Sequence, residues 1–294
     1  MFNQLGVIGC GLMGGSFALA LKRGGLVKRV VGYSKSPSTT DRAKRMGVID
    51  VAAESALLAV SGSDIVLLAV PVSATEVTFK AIRHLVEPGV LFMDVGSTKR
   101  DVVDAARRVL KERVPSFVPA HPITGKETAG VHNADAALYA GRQVILTPLP
   151  QTAPALVQKA TDLWSALGAQ VLKMTPENHD SAFAAVSHLP HLLAFAYFGG
   201  VLGQPAGRDL LSLAGPGFRD FTRIAASDPT MWRDILIANR EEVLKQSQRF
   251  RQALDSLEQV MLAGNAEALQ ELLRTASEGR AQWHMGNVRN GPAR

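Results

Sequence analysis

The sequence predicts an α/β protein in which a domain with a doubly wound, mostly parallel sheet precedes an all-helical C-terminal domain. Over residues 1–174, short continuous apolar runs alternate with segments of helical length, and a glycine-rich turn follows the first run. Unbroken apolar runs are typical of strands that helices cover on both faces. Residues 175–294 contain long helical segments and no convincing strand. We therefore place the domain boundary between residues 174 and 175.

The predicted elements follow from local patterns. Apolar runs of strand length occur at residues 5–8, 29–33, 64–70, 90–95, 116–120, 142–147 and 170–174. Helical spacing predicts helices at residues 15–21, 73–85, 99–110, 153–167, 177–201, 228–262 and 267–278. Thr175 before Pro176 and Glu177 is a typical helix entrance, with an N-cap, a proline in the first turn and an acidic side chain.

Composition restricts the class of protein. The chain has 294 residues, which corresponds to two domains at roughly 150 residues each. Its single cysteine, Cys10, excludes an intramolecular disulfide, so we expect a reducing compartment. We find no signal peptide and no uncharged run of the roughly 20 apolar residues that span a bilayer. These observations predict a cytoplasmic protein that contacts no membrane.

The charge distribution favours a small anionic ligand over a nucleic acid. The formal net charge is +6, but the 32 lysines and arginines are scattered over both halves of the chain. A nucleic-acid-binding surface needs a basic patch or stripe, which the sequence does not indicate. A diffuse positive field instead raises the local concentration of phosphates and carboxylates.

A glycine motif follows the first predicted strand. The segment Gly9-Cys10-Gly11-Leu12-Met13-Gly14 has the Gly-x-Gly-x-x-Gly spacing of a Rossmann dinucleotide site, between a strand and a helix. Gly9 permits the tight turn, Gly11 lets the backbone approach the pyrophosphate, and Gly14 allows close helix packing. We interpret Cys10 as a small packing residue. The predicted cofactor-binding residues are Gly9, Gly11, Leu12, Met13, Gly14, Ser34, Lys35, Val70 and Pro71.

The segment after the second predicted strand bears on the choice between NAD and NADP. An acidic residue about 20 positions past the glycines usually binds the ribose of NAD, but here the sequence reads Tyr33-Ser34-Lys35-Ser36. A hydroxyl and a lysine suit a 2′-phosphate better than a carboxylate would, so we favour NADP. The alternative is that Lys35 is a solvated loop residue and that NAD binds without the acid.

Titratable and hydroxyl side chains fall in four clusters. Residues 96–99 and 120–127 follow predicted strands, where open parallel sheets bind their ligands. Residues 187–191 and 217–232 lie in the helical domain, and an arginine among the apolar residues of the last cluster is suited to binding a carboxylate. His188 and His191 lie three apart without a third ligand of suitable spacing, so no metal site is predicted. We interpret His188 as a packed, hydrogen-bonded helix residue.

With these motifs the chain resembles the prephenate/arogenate (cyclohexadienyl) dehydrogenase family. Gly-Ser-Thr-Lys, His-Pro-Ile-x-Gly-x-Glu, Ser-His-Leu-Pro-His and Asp-Phe-Thr-Arg-Ile-Ala-x-Ser-Asp-Pro-x-Met-Trp follow the glycine motif in the family's order, within residues 9–232. The resemblance implies oxidative decarboxylation of prephenate to 4-hydroxyphenylpyruvate, or of arogenate to tyrosine, with hydride transfer to NAD(P). It also implies tyrosine biosynthesis and a homodimer formed through the helical domain.

The resemblance also implies residue roles. His121 would accept the proton of the ring hydroxyl, and a neutral imidazole suits a base near neutral pH. Ser97 would hydrogen-bond the same hydroxyl and help to place the nicotinamide. Arg223 would bind a substrate carboxylate, while His191 and Ser187 would contact the substrate side chain. The resemblance further implies that Glu127 and Asp220 form a charged network at the pocket entrance and that Trp232 lines the pocket.

Two other functions remain open at this point. A β-hydroxyacid dehydrogenase shares the glycine-rich opening and a helical second domain, but that class needs a catalytic lysine early in the interdomain helix, and residues 177–190 contain none. A catalytically silent dinucleotide sensor would not need His121, Ser97 and Arg223 as a base, a hydroxyl partner and a carboxylate clamp. The residues do not separate prephenate from arogenate.

Overall fold

The larger sheet has six strands, all paired in parallel. The structure is a computed structural model that describes residues 1–126 and 128–284. Its first six strands are β1 (Phe2–Ile8), β2 (Val27–Tyr33), β3 (Val51–Ala52), β4 (Ile65–Leu68), β5 (Leu91–Asp94) and β6 (Phe117–Val118). Their order is β3-β2-β1-β4-β5-β6, which is the strand order of the dinucleotide-binding Rossmann fold. The predicted fold class is confirmed, although β3 has only two residues and was not predicted.

Helices cover both faces of this sheet. They are α1 (Leu12–Arg23), α2 (Pro37–Arg45), α3 (Ala56–Val60), α4 (Thr75–Ile82) and α5 (Arg100–Leu110). One buried cluster includes Phe17, whose ring lies 4.9 Å from that of Trp164. The other includes Phe79 and Phe92, with ring centroids 5.5 Å apart. Burial on both faces explains why β4 is apolar throughout and why β1 and β2 are apolar over their C-terminal residues.

A second sheet has three strands, two of which were predicted in the first sheet, over residues 142–147 and 170–174. They are β7 (Ala120–Pro122), β8 (Gln143–Leu146) and β9 (Gln170–Lys173). The helix α6 (Pro154–Ala166) lies between β8 and β9 in the chain. β7 is antiparallel to β8, and β8 is parallel to β9. The predicted strand over residues 116–120 is divided at Pro119, which has no N–H to continue a ladder and whose carbonyl accepts from Thr147 N–H at 3.0 Å.

The rest of the described chain is helical. Its helices are α7 (Pro176–Phe183), α8 (Leu189–Leu202), α9 (Gly207–Ser212), α10 (Pro216–Thr222), α11 (Pro229–Ala238), α12 (Arg240–Leu262) and α13 (Ala266–Gln282). The Thr175 hydroxyl accepts the Asn178 N–H at 3.2 Å, so the predicted helix entrance is confirmed. The short α9 and α10 were not predicted, and Asn239 interrupts the helix predicted over residues 228–262. The chain forms two compact units, Met1–Arg240 and Glu241–Arg294.

A π-helical turn, residues 184–188, joins α7 to α8 and makes Pro176–Leu202 a continuous helix. Among the described residues this helix alone has the length and hydropathy of a membrane span. It nevertheless carries His179, Asp180 and His188, which are buried and hydrogen-bonded inside the first unit. Such a buried polar set is typical of a site inside a folded protein.

A buried ion pair joins the two sheets. Asp94, the last residue of β5, accepts a hydrogen bond from Lys99 Nζ at 2.5 Å, and both side chains are almost completely buried. The other oxygen of the Asp94 carboxylate accepts the Ala120 N–H at 3.0 Å, and Lys99 Nζ donates to the Ala120 carbonyl at 2.9 Å. Asp94 also accepts the Gly96 N–H at 2.8 Å. These bonds hold the Gly96–Lys99 loop against the first residue of β7, immediately before His121.

We expect Lys99→Met to lower the free energy of unfolding by about 3–5 kcal/mol, because it leaves the Asp94 carboxylate buried without a counterion. Adding Asp94→Asn should restore part of the loss, since the uncompensated charge is then removed. Urea unfolding followed by circular dichroism measures both effects. The control is Arg107→Met, which removes an exposed ion pair with Asp104 and should cost less than about 1 kcal/mol. A Lys99→Met protein as stable as the control would contradict a stabilising role for the buried pair.

Candidate active site

The glycine turn forms the nucleotide half of the site, at the point where the strand order reverses between β1 and β4. Gly9 has φ +100°, and a Cβ there would lie 2.2 Å from the Ala69 carbonyl oxygen. A Cβ on Gly14 would lie 2.1 Å from the Gly9 carbonyl oxygen, so both positions require glycine. Gly11, in contrast, has open space around its Cβ position. The backbone at the N-terminus of α1 is therefore open to the approach of a pyrophosphate, and the first turn of α1 carries no acidic residue.

The other predicted nucleotide residues border this turn. Ser34 follows β2, and its Oγ accepts the Cys10 N–H at 2.8 Å, which links the glycine turn to the segment after β2. Lys35 is exposed beside it, and Val70 and Pro71 follow β4. Burial raises the pKa of the Cys10 thiol to about 11, in agreement with a packing role for Cys10. The arrangement fits a dinucleotide at the carboxyl ends of β1, β2 and β4.

His121 lies in β7 and belongs to a line of three hydrogen-bonded side chains. Its Nδ1 is 2.8 Å from Nε2 of His179, and Nδ1 of His179 is 2.8 Å from Oδ1 of Asp180. His179 and Asp180 are buried in α7, whereas His121 is half-buried. The ring of Phe183 packs against both imidazoles, at 5.0 Å from His121 and 4.5 Å from His179.

Asp180 is held by the N-terminus of α5. Its Oδ1 accepts the Lys99 N–H at 2.8 Å, and its Oδ2 accepts the Arg100 N–H at 3.0 Å. These are two of the N–H groups that α5 leaves without an intrahelical partner, and the helix dipole favours a negative charge there. The hydrogen bonds from His179, Arg100 and Lys99 hold the pKa of the Asp180 carboxyl below its usual range, against the opposing effect of burial.

Asn239 connects this line to a second group of predicted site residues. Its amide donates to the Asp180 carbonyl at 2.8 Å and to Nδ1 of His188 at 3.0 Å, which explains why the helix is interrupted there. His188 is buried as predicted, and the backbone of Ser97 is close enough to influence its pKa. Ser97 itself is half-buried in the loop that the Asp94–Lys99 pair holds.

The second group is centred on His191. Its ring stacks on that of Trp232, with centroids 3.5 Å apart and an angle of 17° between the planes. Its Nδ1 donates to the Ser187 carbonyl at 2.9 Å, which leaves Nε2 for a ligand. Burial lowers the pKa of His191, the hydrogen bond to the Ser187 carbonyl opposes this effect, and the charge of Arg223, which begins the 3-10 turn after α10, lowers the pKa further. His191, Ser187, Trp232 and Arg223 thus lie together, with His188 between them and the His121 line.

The predicted charged network at the pocket entrance receives less support. Asp220 is exposed on α10, and its Oδ1 accepts from the neighbouring Arg219 Nε at 3.0 Å. Glu127 lies outside the described residues. The network therefore stays a prediction.

Sequence reasoning missed four residues of the site, namely Asp94, His179, Asp180 and Asn239. A histidine and an aspartate adjacent in the first turns of a predicted helix were a usable signal, because both are rarely buried without a hydrogen-bond partner. Asp94 and Asn239 carried no comparable signal, since their partners are distant in the sequence.

Burial sets the protonation of the histidines. It lowers the pKa of His121 well below its ordinary value of 6.5, and the nearby His179, Lys99 and His188 lower it further. Burial also lowers the pKa of His179, and it lowers that of His188 to about 4. A histidine that is neutral near pH 7 can act as a proton acceptor, so the site can perform base-assisted hydride transfer to a nucleotide.

Both parts of the chain match models of one protein family. Residues 17–173 match the family described as "Prephenate dehydrogenase, nucleotide-binding domain". Residues 175–275 match "Prephenate dehydrogenase, dimerization domain". Together these matches cover most of the chain.

Individual relatives agree with these matches. The chain is similar to the prephenate dehydrogenase of Bacillus subtilis, with 36% identity over 95% of this chain and 76% of the relative. It is 31% identical to the cyclohexadienyl dehydrogenase of Zymomonas mobilis, over 95% and 96% of the two chains. Among solved structures, prephenate dehydrogenase from Aquifex aeolicus in complex with hydroxyphenyl propionate and NAD+ has 36% identity and a TM-score of 0.89, over 96% and 98% of the chains.

The lowered pKa values of the buried histidines predict acid lability. Below pH 6.5 these histidines bind protons in the unfolded chain but stay neutral in the folded protein, so the free energy of unfolding declines as the pH falls. For His188 the decline should continue to about pH 4, its folded pKa. Urea midpoints between pH 7.5 and pH 4.5 measure the effect, and His188→Gln should reduce the slope by up to about one proton. Equal slopes in the two proteins would contradict a buried, neutral His188.

Proposed function

This chain belongs to the prephenate dehydrogenase family, and we propose that it oxidatively decarboxylates prephenate, arogenate or both, with hydride transfer to NAD(P). The product is 4-hydroxyphenylpyruvate from prephenate or tyrosine from arogenate, which places the enzyme in tyrosine biosynthesis. The single observation that carries the proposal is a half-buried histidine with a lowered pKa, held in β7 by a hydrogen bond to His179. A silent dinucleotide sensor would not need such a base.

His121 is the proposed base. The bound nicotinamide supplies the hydride acceptor of the reaction. His121 takes the proton of the hydroxyl at ring carbon C4 as the hydrogen of C4 leaves as hydride, which gives a ring ketone. The carbon–carbon bond to the carboxylate then breaks, its electron pair enters the ring as carbon dioxide departs, and the resulting phenolate oxygen takes the proton back from His121. Ser97 hydrogen-bonds the same hydroxyl and thereby orients it toward His121. Aromatisation of the ring makes the overall step favourable.

The group around His191 is proposed to bind the substrate end that carries the carboxylate. Arg223 is a planar donor that can bind a carboxylate with two hydrogen bonds. His191 offers Nε2, Ser187 lies one helical turn away, and Trp232 supplies an apolar wall. Asp220 and Glu127 are proposed to complete the charged network at the entrance.

The proposals for the cofactor and for the homodimer rest on the family to which the chain belongs. We propose that residues 1–174 bind the dinucleotide, through Gly9, Gly11, Gly14 and their neighbours, and that residues 175–294 supply substrate contacts and a homodimer surface. The segment from Ser34 to Ser36 has hydroxyls and a lysine but no acidic residue, which supports NADP beside NAD. We further propose a cytoplasmic location, without a nucleic-acid or membrane partner.

The direct test combines prephenate and arogenate with NAD and NADP in four mixtures and follows the absorbance of the reduced nicotinamide. We expect reduction with at least one substrate. The comparison of kcat/KM among the mixtures then determines the preferred substrate and cofactor. Absence of reduction in all four mixtures, with a protein that is folded by circular dichroism, would overturn the proposal.

Two variants separate the proposed roles. His121→Asn should lower kcat by about 10²–10⁴-fold with little change in KM, because it removes the base and not the binding groups. Arg223→Ala should instead raise KM for the substrate by about 10–100-fold, the scale of a charge-assisted hydrogen bond. Arg208→Ala, an exposed arginine on α9, is the matched control. Wild-type kinetics in both site variants would contradict the assignment.

A further inference from the structure

We propose that His179 and Asp180 are positioning residues that hold His121 in one tautomer, with its proton on Nδ1 and with Nε2 as the atom that accepts the substrate proton. This inference deepens the proposed function, because it names the reacting atom of the base and the residues that select it. It concerns a line of three side chains from two elements that the sequence leaves far apart, β7 and α7.

The direction of each hydrogen bond in the line follows from Asp180. Its carboxylate accepts N–H groups from Lys99 at 2.8 Å and from Arg100 at 3.0 Å, so both oxygens already act as acceptors. An ionised carboxylate can only accept, and therefore Nδ1 of His179, at 2.8 Å from Oδ1, must carry the hydrogen. In a neutral His179 the second nitrogen, Nε2, is then an acceptor.

The same argument transfers to His121. Its Nδ1 lies 2.8 Å from Nε2 of His179, and a hydrogen bond at this distance needs one hydrogen between the two nitrogens. Because Nε2 of His179 accepts, Nδ1 of His121 must donate. A neutral His121 then has an unprotonated Nε2, which is the form that a general base requires.

Both imidazoles are neutral for a common reason. Burial is the largest cause of the lowered pKa of each ring. The charged groups that face the line are Lys99, Asp94 and Asp180, and the further titratable group is His188. Asp94 pairs with Lys99, so Asp180 is the one carboxylate whose hydrogen bond reaches His179.

The line is fixed by parts of the fold that need no substrate. Asp180 is bound by the N-terminus of α5 and, through its carbonyl, by Asn239. Phe183 packs against both rings and restricts their rotation. Without these contacts a neutral imidazole favours the opposite tautomer, in which Nε2 carries the proton and cannot act as a base.

The line also acts after proton transfer. When the substrate O–H bond breaks and the proton binds Nε2 of His121, the imidazolium donates through Nδ1 to His179, which donates to the Asp180 carboxylate. Asp180 stays ionised and stabilises the positive charge at a distance. The aspartate of the Ser-His-Asp triad orients and stabilises its histidine in the same way, and its loss costs roughly 10⁴-fold in kcat.

The kinetic test compares a substitution that keeps a hydrogen-bond acceptor at His179 with one that removes it. In His179→Gln the side-chain amide can place its oxygen near the position of Nε2 and accept from His121, whereas His179→Phe offers no acceptor. We expect His179→Phe to lower kcat by about 10²–10³-fold and His179→Gln by less than about 10-fold, with KM changed little in either. Equal kcat values for the Gln and Phe variants, or a loss confined to KM, would overturn the proposal.

The second test is spectroscopic and needs no turnover. In protein with ring-¹⁵N histidine, the signals that His121→Asn removes should belong to an imidazole protonated at Nδ1 and unprotonated at Nε2. His179→Phe should convert them to the opposite tautomer. Phe183→Leu is the packing control, because it loosens both rings but keeps the hydrogen bonds, and it should retain the Nδ1–H form.

These outcomes separate this inference from the proposed function. The Nδ1–H form in wild type, together with no activity on either cyclohexadienyl substrate, would leave the tautomer assignment standing and overturn the function. The Nε2–H form in wild type would overturn the inference, whatever the activity. If His179→Phe does not fold, the spectrum of wild type and the kcat of His179→Gln still decide.

Discussion

The buried ion pair between Asp94 and Lys99 is the interaction on which the site depends. It lies where β5 ends, and through the Ala120 backbone it holds the start of β7 against the Rossmann sheet. One buried pair thus positions both the Ser97 loop and His121, which belong to different sheets. Charges this deeply buried need hydrogen-bond partners, and here Lys99 and Asp94 bond to each other and to the backbone of Gly96 and Ala120. The cost of burying them is offset only in the native arrangement of the two sheets.

From this point, hydrogen bonds extend into the helical part of the first unit. The N–H groups at the start of α5 bind Asp180, which binds His179, which contacts His121. Asn239 joins Asp180 to His188, whose ring lies 6.2 Å from that of Trp232. Trp232 in turn stacks on His191. His121 and the residues around His191, which are proposed to bind the substrate carboxylate, are therefore the two ends of one connected set of side chains. The π-helical turn at residues 184–188 places Ser187 and His188 within this set.

The nucleotide-binding half of the site depends on backbone geometry, whereas the other half depends on side chains. Gly9 and Gly14 allow approaches that any Cβ would block, and Gly11 leaves the space that a phosphate needs. Ser34 connects this turn to the segment after β2. The other half of the site comes from β7 and from the helical part of the first unit, so the two halves have different structural origins.

The sequence by itself determined the fold class, the glycine turn and the family, because each depends on local pattern: apolar runs, glycine spacing and contiguous motifs. It also placed His121, Ser97, His191 and Arg223 among the candidates. It predicted one sheet where the structure has two, because the division depends on a single proline between two short strands. Only the tertiary structure brought His179 and Asp180 to His121, and Asn239 to His188. The contacts of His179 with His121 and of Asn239 with His188 join residues 58 and 51 positions apart, and no local pattern records which distant ring a buried polar side chain will meet.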